Sequence, residues 1–482
     1  MQGMLAMFVL ASCAALASSG NASNSRRLVK LTIVAIDSKG APVTDLRPEE
    51  IQLREDGSLR SMAYFRFAGS SRALAALAPD EFENRPGPPP TLILLDRWNE
   101  GLSTMAKAWH DVDEALLHAE SVQRIYVYLL TGRGELWPVR PVPGAAEAWR
   151  PVEPPSPAEL VAKLDDAVRQ TEGLRLQDRL DPVQRSYTTW QALGIFRKMD
   201  PMAGRKNFIW VTHGVPLYAD ALDGARADFT RPIVDLANAQ AGSQVAIYTV
   251  AQAGEGPQAD PSEETRQALR LFSDITGGRA YPSDYTRTAL TEALNDGRGA
   301  YQVAYYSPVL ERGSWEHKIR VDAVRKGVRL LTRGRYYGDE VAAAPDELAD
   351  SAFEGLTRSP FDATEIALRV RKTRIPGRDA VHFEVVVDPR DLLMERDGGQ
   401  FRGSFTLRLA LYGKAGFIGV AQAVQKDFTL TDFTLTQEQR DDVKNGIGVS
   451  QDVVLDRDIQ QVRLMVFDWG LRTLGSVTIP VR

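Results

Sequence analysis

Four short runs of nearly unbroken apolar residues dominate the patterning of this chain, at residues 91–95, 125–130, 208–212 and 245–250. A strand with one wet face leaves every second position polar, so runs that are apolar throughout predict parallel strands buried on both faces. Stretches with helical spacing separate them, at 103–120, 158–170, 187–199, 229–241 and 263–276. Strand and helix in alternation predict an α/β fold with a doubly wound, mostly parallel sheet. Residues 151–157 and 174–182, rich in Pro or charge, read as surface loops.

The flanks follow a different period. Residues 29–36 alternate apolar and polar, Asp37-Ser38-Lys39-Gly40 is a turn, 45–50 is a capped helical turn with Pro48 at its start, and 51–57 is a strand running into Asp56-Gly57. Residues 28–68 are therefore expected to form a small β lead-in. Arg85-Pro86-Gly87-Pro88-Pro89-Pro90 can be neither helix nor central strand and reads as a stiff linker. The α/β domain is assigned to 88–338, a second linker rich in Ala, Asp and Ser to 339–360, and an all-β domain to 361–482. Its strands are expected at 363–370, 381–387, 404–412, 447–454 and 461–467, as a β-sandwich of immunoglobulin-like type.

Composition narrows the function. At 482 residues the chain exceeds one hydrophobic core. A net charge of −5 argues against a nucleic-acid binder, which needs a strongly basic face. Residues 1–25 read as a leader: an apolar core at 4–11, then small residues with Ala15-Leu16-Ala17 and Gly20-Asn21-Ala22 as cleavage signals, although no Lys or Arg precedes the core. Export to the periplasm, the cell envelope or the outside is the expectation. The single cysteine, Cys13, ends Leu10-Ala11-Ser12-Cys13, which resembles a lipobox. Two readings stand: a lipid anchor through Cys13, or a leader that is simply cleaved, which would leave no thiol for disulfides or metal sites.

One further order of motifs is specific. Thr276-Gly277-Gly278-Arg279-Ala280 is followed by the Tyr-rich stretch 300–308, by His317-Lys318-Ile319-Arg320-Val321, and by Arg333-Gly334-Arg335-Tyr336-Tyr337. With the strand 91–95 ending on Asp96 and the later Thr212-His213-Gly214, this order resembles bacterial exported proteins called VWFA-related. These carry a von Willebrand factor type A-like domain. In that family a strand-end Asp-x-Ser-x-Ser loop and a later Thr-Asp-Gly turn hold a divalent cation, which can clamp an acidic side chain of a partner. Here Trp98 and Glu100 replace both Ser, and His213 stands where the later Asp belongs.

By that resemblance Asp96, Asn99 and His213 are the candidate metal ligands, with Thr131 after a neighbouring strand. The set suits Mg²⁺ poorly, because Mg²⁺ prefers oxygen and His213 offers nitrogen. The preferred reading is a vestigial site whose Asp96 caps the following turn, with no cofactor; a divalent cation is the alternative. Trp98 has two readings of equal weight. It is either an exposed contact at the carboxyl edge of the sheet, where open α/β sheets bind ligands, or a plug for the space a metal would fill. Thr131, Thr212 and Glu100 join it as candidate partner contacts.

No Gly-x-Ser-x-Gly and no Walker motif occurs, and Gly132-Arg133-Gly134 lacks the third glycine of a dinucleotide fingerprint. No nucleotide is expected. His110 and His118 lie eight apart on a helical stretch and read as surface residues. The functional expectation is a non-enzymatic module for protein–protein interaction or assembly, with an unidentified protein partner. The alternatives are a metal-assisted hydrolase using Asp96, Glu100 and His213, and a purely structural envelope protein.

Overall fold

The computed structural model describes residues 27–68, 77–99, 102–119, 121–144, 154–174, 181–252, 261–282, 285–296, 299–308, 316–337, 345–421, 423–431 and 446–481. The leader with Cys13, and Glu100, lie outside the described residues.

All four apolar runs are strands of one six-stranded sheet. Its order is Ala280–Tyr281, Val245–Ala251, Lys206–Thr212, Thr91–Asp96, Ile125–Leu130, Leu136–Arg140. Every neighbouring pair is parallel except the last, an antiparallel edge. Numbered along the chain this is 3-2-1-4-5-6, the doubly wound order. The pleat explains the unbroken runs. Leu92, Leu94, Phe208, Trp210 and Ile247 point to a face covered by the helices Pro182–Leu193, Thr230–Gly242 and Glu263–Thr276. Ile93, Leu95, Ile209, Val211 and Val250 point to the other, under Leu102–Leu117, Pro157–Thr171 and Thr286–Asp296. Neither face meets water, so no position in these strands needs to be polar.

Local chemistry sets the helix starts. Ser156 Oγ accepts from Glu159 N at 3.2 Å while Glu159 Oε2 accepts from Ser156 N at 2.7 Å, a reciprocal capping box at Pro157. Asp181 caps Pro182–Leu193 through Val183 N at 2.8 Å. That helix begins five residues before the expected 187, because Pro182 at its first position is preset for helix rather than loop.

The lead-in is not a separate unit. Arg27–Ile36 pairs with Ala300–Ser307, which also pairs with Met62–Phe67, and Ile51–Glu55 pairs with Glu316–Ala323. Residues expected at the end of the α/β domain therefore complete the β unit begun before it, and the α/β layer is inserted between them. Leu31, Ile33, Leu53, Tyr301, Tyr305 and Ile319 form the shared core, with Phe65 and Phe67 against Tyr301 at 5.2 and 5.0 Å. The apolar faces of the two segments close on one common core.

The second linker is also corrected. Pro345–Arg358 is a helix, with Asp346 and Glu347 in its first turn and Arg358 in its last, complementing the helix dipole. Ala349, Phe353 and Leu356 face Tyr412, Met465 and Phe467 of the C-terminal domain. That domain has two antiparallel layers around one core, in which Val370, Phe383 and Val385 meet Phe405, Leu407 and Leu464. One layer is Ile447–Val454, Ala380–Val387, Leu368–Arg374 and Glu81–Glu83; the other is built on the long strand Gln400–Gly413 with Gln461–Asp468 and Thr473–Pro480. The edge strand Glu81–Glu83 comes from before the Pro-rich linker. Asn84 fastens it, donating to Ala363 O and Ile366 O at 2.7 Å each and accepting from Leu368 N at 2.8 Å.

Candidate functional site

Asp96 and Thr212 end two adjacent strands, Thr91–Asp96 and Lys206–Thr212, at the point where the strand order reverses. The first strand's successor pairs on one side and the fourth strand on the other, so the following loops diverge and leave a crevice at the carboxyl ends. In this chain the crevice is closed by hydrogen bonds. Asp96 Oδ1 accepts from Trp98 N at 2.9 Å and Asn99 N at 3.2 Å, and Oδ2 accepts from Asn99 Nδ2 at 2.8 Å and Thr212 Oγ1 at 2.6 Å. Asn99 Nδ2 also donates to Thr189 Oγ1 at 3.0 Å, and Thr212 Oγ1 accepts from Gly214 N at 2.8 Å. The loop after the first strand, the end of the fourth strand and the helix Pro182–Leu193 are thereby joined through one carboxylate.

That carboxylate is fully buried. Burial pushes its pKa up, while the hydroxyl of Thr212, the Asn99 side chain and two backbone N–H groups pull it back. Four donors saturate the acceptor sites of a carboxylate. His213 is half-buried, and its Nδ1 lies 3.0 Å from Gln252 O. A carbonyl can only accept, so Nδ1 carries the hydrogen and Nε2 alone is left as a ligand atom. Among the described residues the donors do not fit a divalent cation: the strand-end carboxylate is spent on protein donors, and no group of three His, Cys, Asp or Glu converges.

The remaining sequence candidates are also inward. Trp98 is 6% exposed; its Nε1 donates to Arg185 O at 3.1 Å and the Arg185 guanidinium lies 5.8 Å from its ring. It packs under the loop of Gly134, whose φ of +79° suits glycine, and a Cβ there would stand 2.6 Å from Thr188 Cγ2 and 3.4 Å from the indole. Trp98 is thus packed inward, and its reading as an exposed contact is corrected. Thr131 is buried, its Oγ1 accepting from Arg133 N and Glu135 N at 3.3 Å, and Thr212 is buried in the carboxylate clasp. Trp98, Thr131 and Thr212 are corrected as contact residues: each spends its polar atoms inside the fold.

What the carboxyl edge does expose is elsewhere. The short hairpin Tyr218–Asp220 and Arg226–Asp228 follows the fourth strand and carries Leu222, 77% exposed, at its turn. Tyr187, 50% exposed, lies on the adjacent helix with its ring edge-on to Phe229 at 5.6 Å. Asp181 Oδ2 accepts from Leu222 N at 2.7 Å and ties the turn to the start of that helix. Sequence reasoning passed over both because a lone Leu between Ala and Asp has no period. The available signal was an apolar residue inside the turn-like Asp220-Ala221-Leu222-Asp223-Gly224.

The architecture that the resemblance implied, a doubly wound mostly parallel sheet, is the one observed. No protein-family model and no curated protein matches the chain. Among solved structures it is similar to an aerotolerance-related membrane protein from Bacteroides fragilis, at 10% identity over 43% of this chain and 97% of that one, with a TM-score of 0.28. It is similar also to the pilus adhesin SpaC from Lactobacillus rhamnosus GG in its open conformation, at 10% identity over 87% of this chain and 58% of that one, TM-score 0.30. A third is the ArnB paralog VWA2 from Sulfolobus acidocaldarius, at 9% identity over 79% and 76%, TM-score 0.26.

Proposed function

We propose that this chain is a metal-free protein-interaction module of the von Willebrand A-like kind, non-enzymatic, exported to the envelope or beyond, and flanked by an immunoglobulin-like sandwich. The observation that carries the reading is the carboxylate clasp. A buried, fully hydrogen-bonded Asp96 gives no open coordination position for an ion to hold a partner's acid. It does give the loops at the sheet edge a rigid floor. Beside it Leu222 and Tyr187 are exposed, the Leu222 turn being tied to Asp181 at the start of the Tyr187 helix, and preorganised apolar side chains bind with less ordering cost. Recognition then rests on shape and apolar contact at the hairpin and helix. The hydrolase alternative draws no support from a His213 ring engaged by Gln252.

The test is crosslinking and affinity measurement of the full chain against envelope and secreted fractions, comparing wild type with the double variant Leu222→Asp, Tyr187→Ala. A partner captured by wild type should bind the variant about 30-fold or more weakly, since a central contact pair contributes roughly 2 kcal/mol or more. Equal affinity of a folded double variant would move the contact surface elsewhere and remove this reading.

A further inference from the structure

One edge of the C-terminal sandwich is open and apolar. Gly416–Val420 returns from the long strand Gln400–Gly413 through Lys414-Ala415, and among the described residues it pairs with that strand alone. An edge strand offers its outer backbone groups to any other strand, and proteins usually blunt such edges with charge or proline. Other edges of this chain follow that rule: Leu136–Arg140 carries Pro138 and Arg140, Glu81–Glu83 carries two acids, and Ile447–Val454 carries Asp452. Residues 415–421 carry neither charge nor proline.

The edge carries bulk instead. Phe417, Ile418 and Val420 are 50%, 51% and 57% exposed, within four consecutive residues. Two of them are held in place. Phe417 sets its ring edge-on to Tyr412 at 5.9 Å, and Ile418 lies over Gly413, where a Cβ would stand 2.9 Å from Ile418 Cδ1. Between Ile418 and Val420, Gly419 leaves a gap. A Cβ there would meet nothing within 4 Å, and its φ is not left-handed, so the fold itself has no need of glycine at that position. A strand glycine of this kind marks a place where another chain approaches closely.

From this edge we infer a two-fold contact between two copies of this chain, built on Phe417, Ile418 and Val420 around the Gly419 gap. In a two-fold contact the same patch meets itself, so any charge at its centre would face a like charge. The uncharged run 415–421 removes that repulsion, and it offers no counter-charge to an acidic or basic partner. Bulk beside a gap is self-complementary, since each copy can lay an apolar side chain over the other's Gly419. Tyr412 faces Phe417 and Leu411 faces Gly419, which makes Ile418 the extra residue of a bulge. A bulge interrupts the ladder, so the contact closes at two copies rather than extending as an open sheet.

The experiment is sedimentation velocity of the full chain over rising concentration, with hydrogen exchange across 416–420 at the lowest and highest concentrations. A monomer–dimer equilibrium is expected, with protection at 416–420 growing as dimer forms. Ile418→Asp sets two like charges together and should weaken dimerisation roughly thirtyfold. Gly419→Val fills the gap where the fold has room, so it should keep the unfolding midpoint and still weaken dimerisation several-fold. Leu222→Asp, at the carboxyl edge of the α/β sheet, should dimerise as wild type does. A wild type that stays monomeric at every concentration overturns the contact and leaves the edge to a different protein. Wild-type dimerisation in both Ile418→Asp and Gly419→Val, or assembly that grows past two copies, overturns it as well.

Discussion

Replacing Asp96 asks directly what holds the carboxyl edge together. Asp96→Ala leaves four donors facing a cavity: the N–H groups of Trp98 and Asn99, the Asn99 side-chain amide and the Thr212 hydroxyl. The hydroxyl can turn to another acceptor, but the two backbone N–H groups are fixed by the loop. At about 1–3 kcal/mol for each stranded buried donor, the net cost is about 4 kcal/mol. Asp96→Asn is milder, because its oxygen still serves both backbone donors and only the Oδ2 side must reorganise, at a cost of about 1–2 kcal/mol. Domains of 150–250 residues lose roughly 2–4 °C per kcal/mol. The assay is thermal unfolding of each protein after chelator treatment, then with added Mg²⁺, Mn²⁺ or Zn²⁺. The graded loss should be identical with and without metal, and wild type should not shift. A wild-type midpoint raised by any of these ions and no longer raised in Asp96→Asn would refute the clasp and restore a metal site.

Two more outcomes follow from the same physics. Asp113, on Leu102–Leu117, has its pKa pushed up to about 6 by burial first and then by Asp165 and Glu114, with His110 pulling the other way. The folded state therefore holds a proton that the unfolded state has released. Stability from this group is present below about pH 4 and is lost as pH rises towards 6. Asp113→Asn should flatten that slope and stabilise the protein at pH 7 by about 1–2 kcal/mol after solvent screening, read from urea midpoints across pH 4–7. Asn84→Ala removes three hydrogen bonds between the edge strand Glu81–Glu83 and the sandwich, and should cost about 3 kcal/mol. Hydrogen exchange should then rise across Leu368–Arg374 while Thr91–Asp96 stays protected; unchanged protection in both would contradict the fastening role.

The α/β sheet was legible because its signal is local: a strand buried on both faces must be apolar throughout, whatever its neighbours are. Capped helix starts such as Ser156 with Glu159 are legible for the same reason, the partners being three residues apart. The spacing of Ala349, Phe353 and Leu356 carries the period of the helix Pro345–Arg358, but its Ala- and Asp-rich composition reads as a linker and hid it.

What tertiary structure alone decided is everything carried by distant pairing. Nothing local tells Arg27–Ile36 that its neighbour is Ala300–Ser307, or that Glu81–Glu83 belongs to a sandwich beginning far downstream. At the candidate site the sequence determined which ligands the resembled family's metal loop lacks. It could not determine what replaces them, because the four donors on Asp96 include Thr212 from a strand more than a hundred residues away. Whether Trp98 faced water or the core was settled in the same way, by Arg185 and the Gly134 loop closing over it. Residue types constrain which contacts are chemically affordable; burial and long-range hydrogen bonding choose among them.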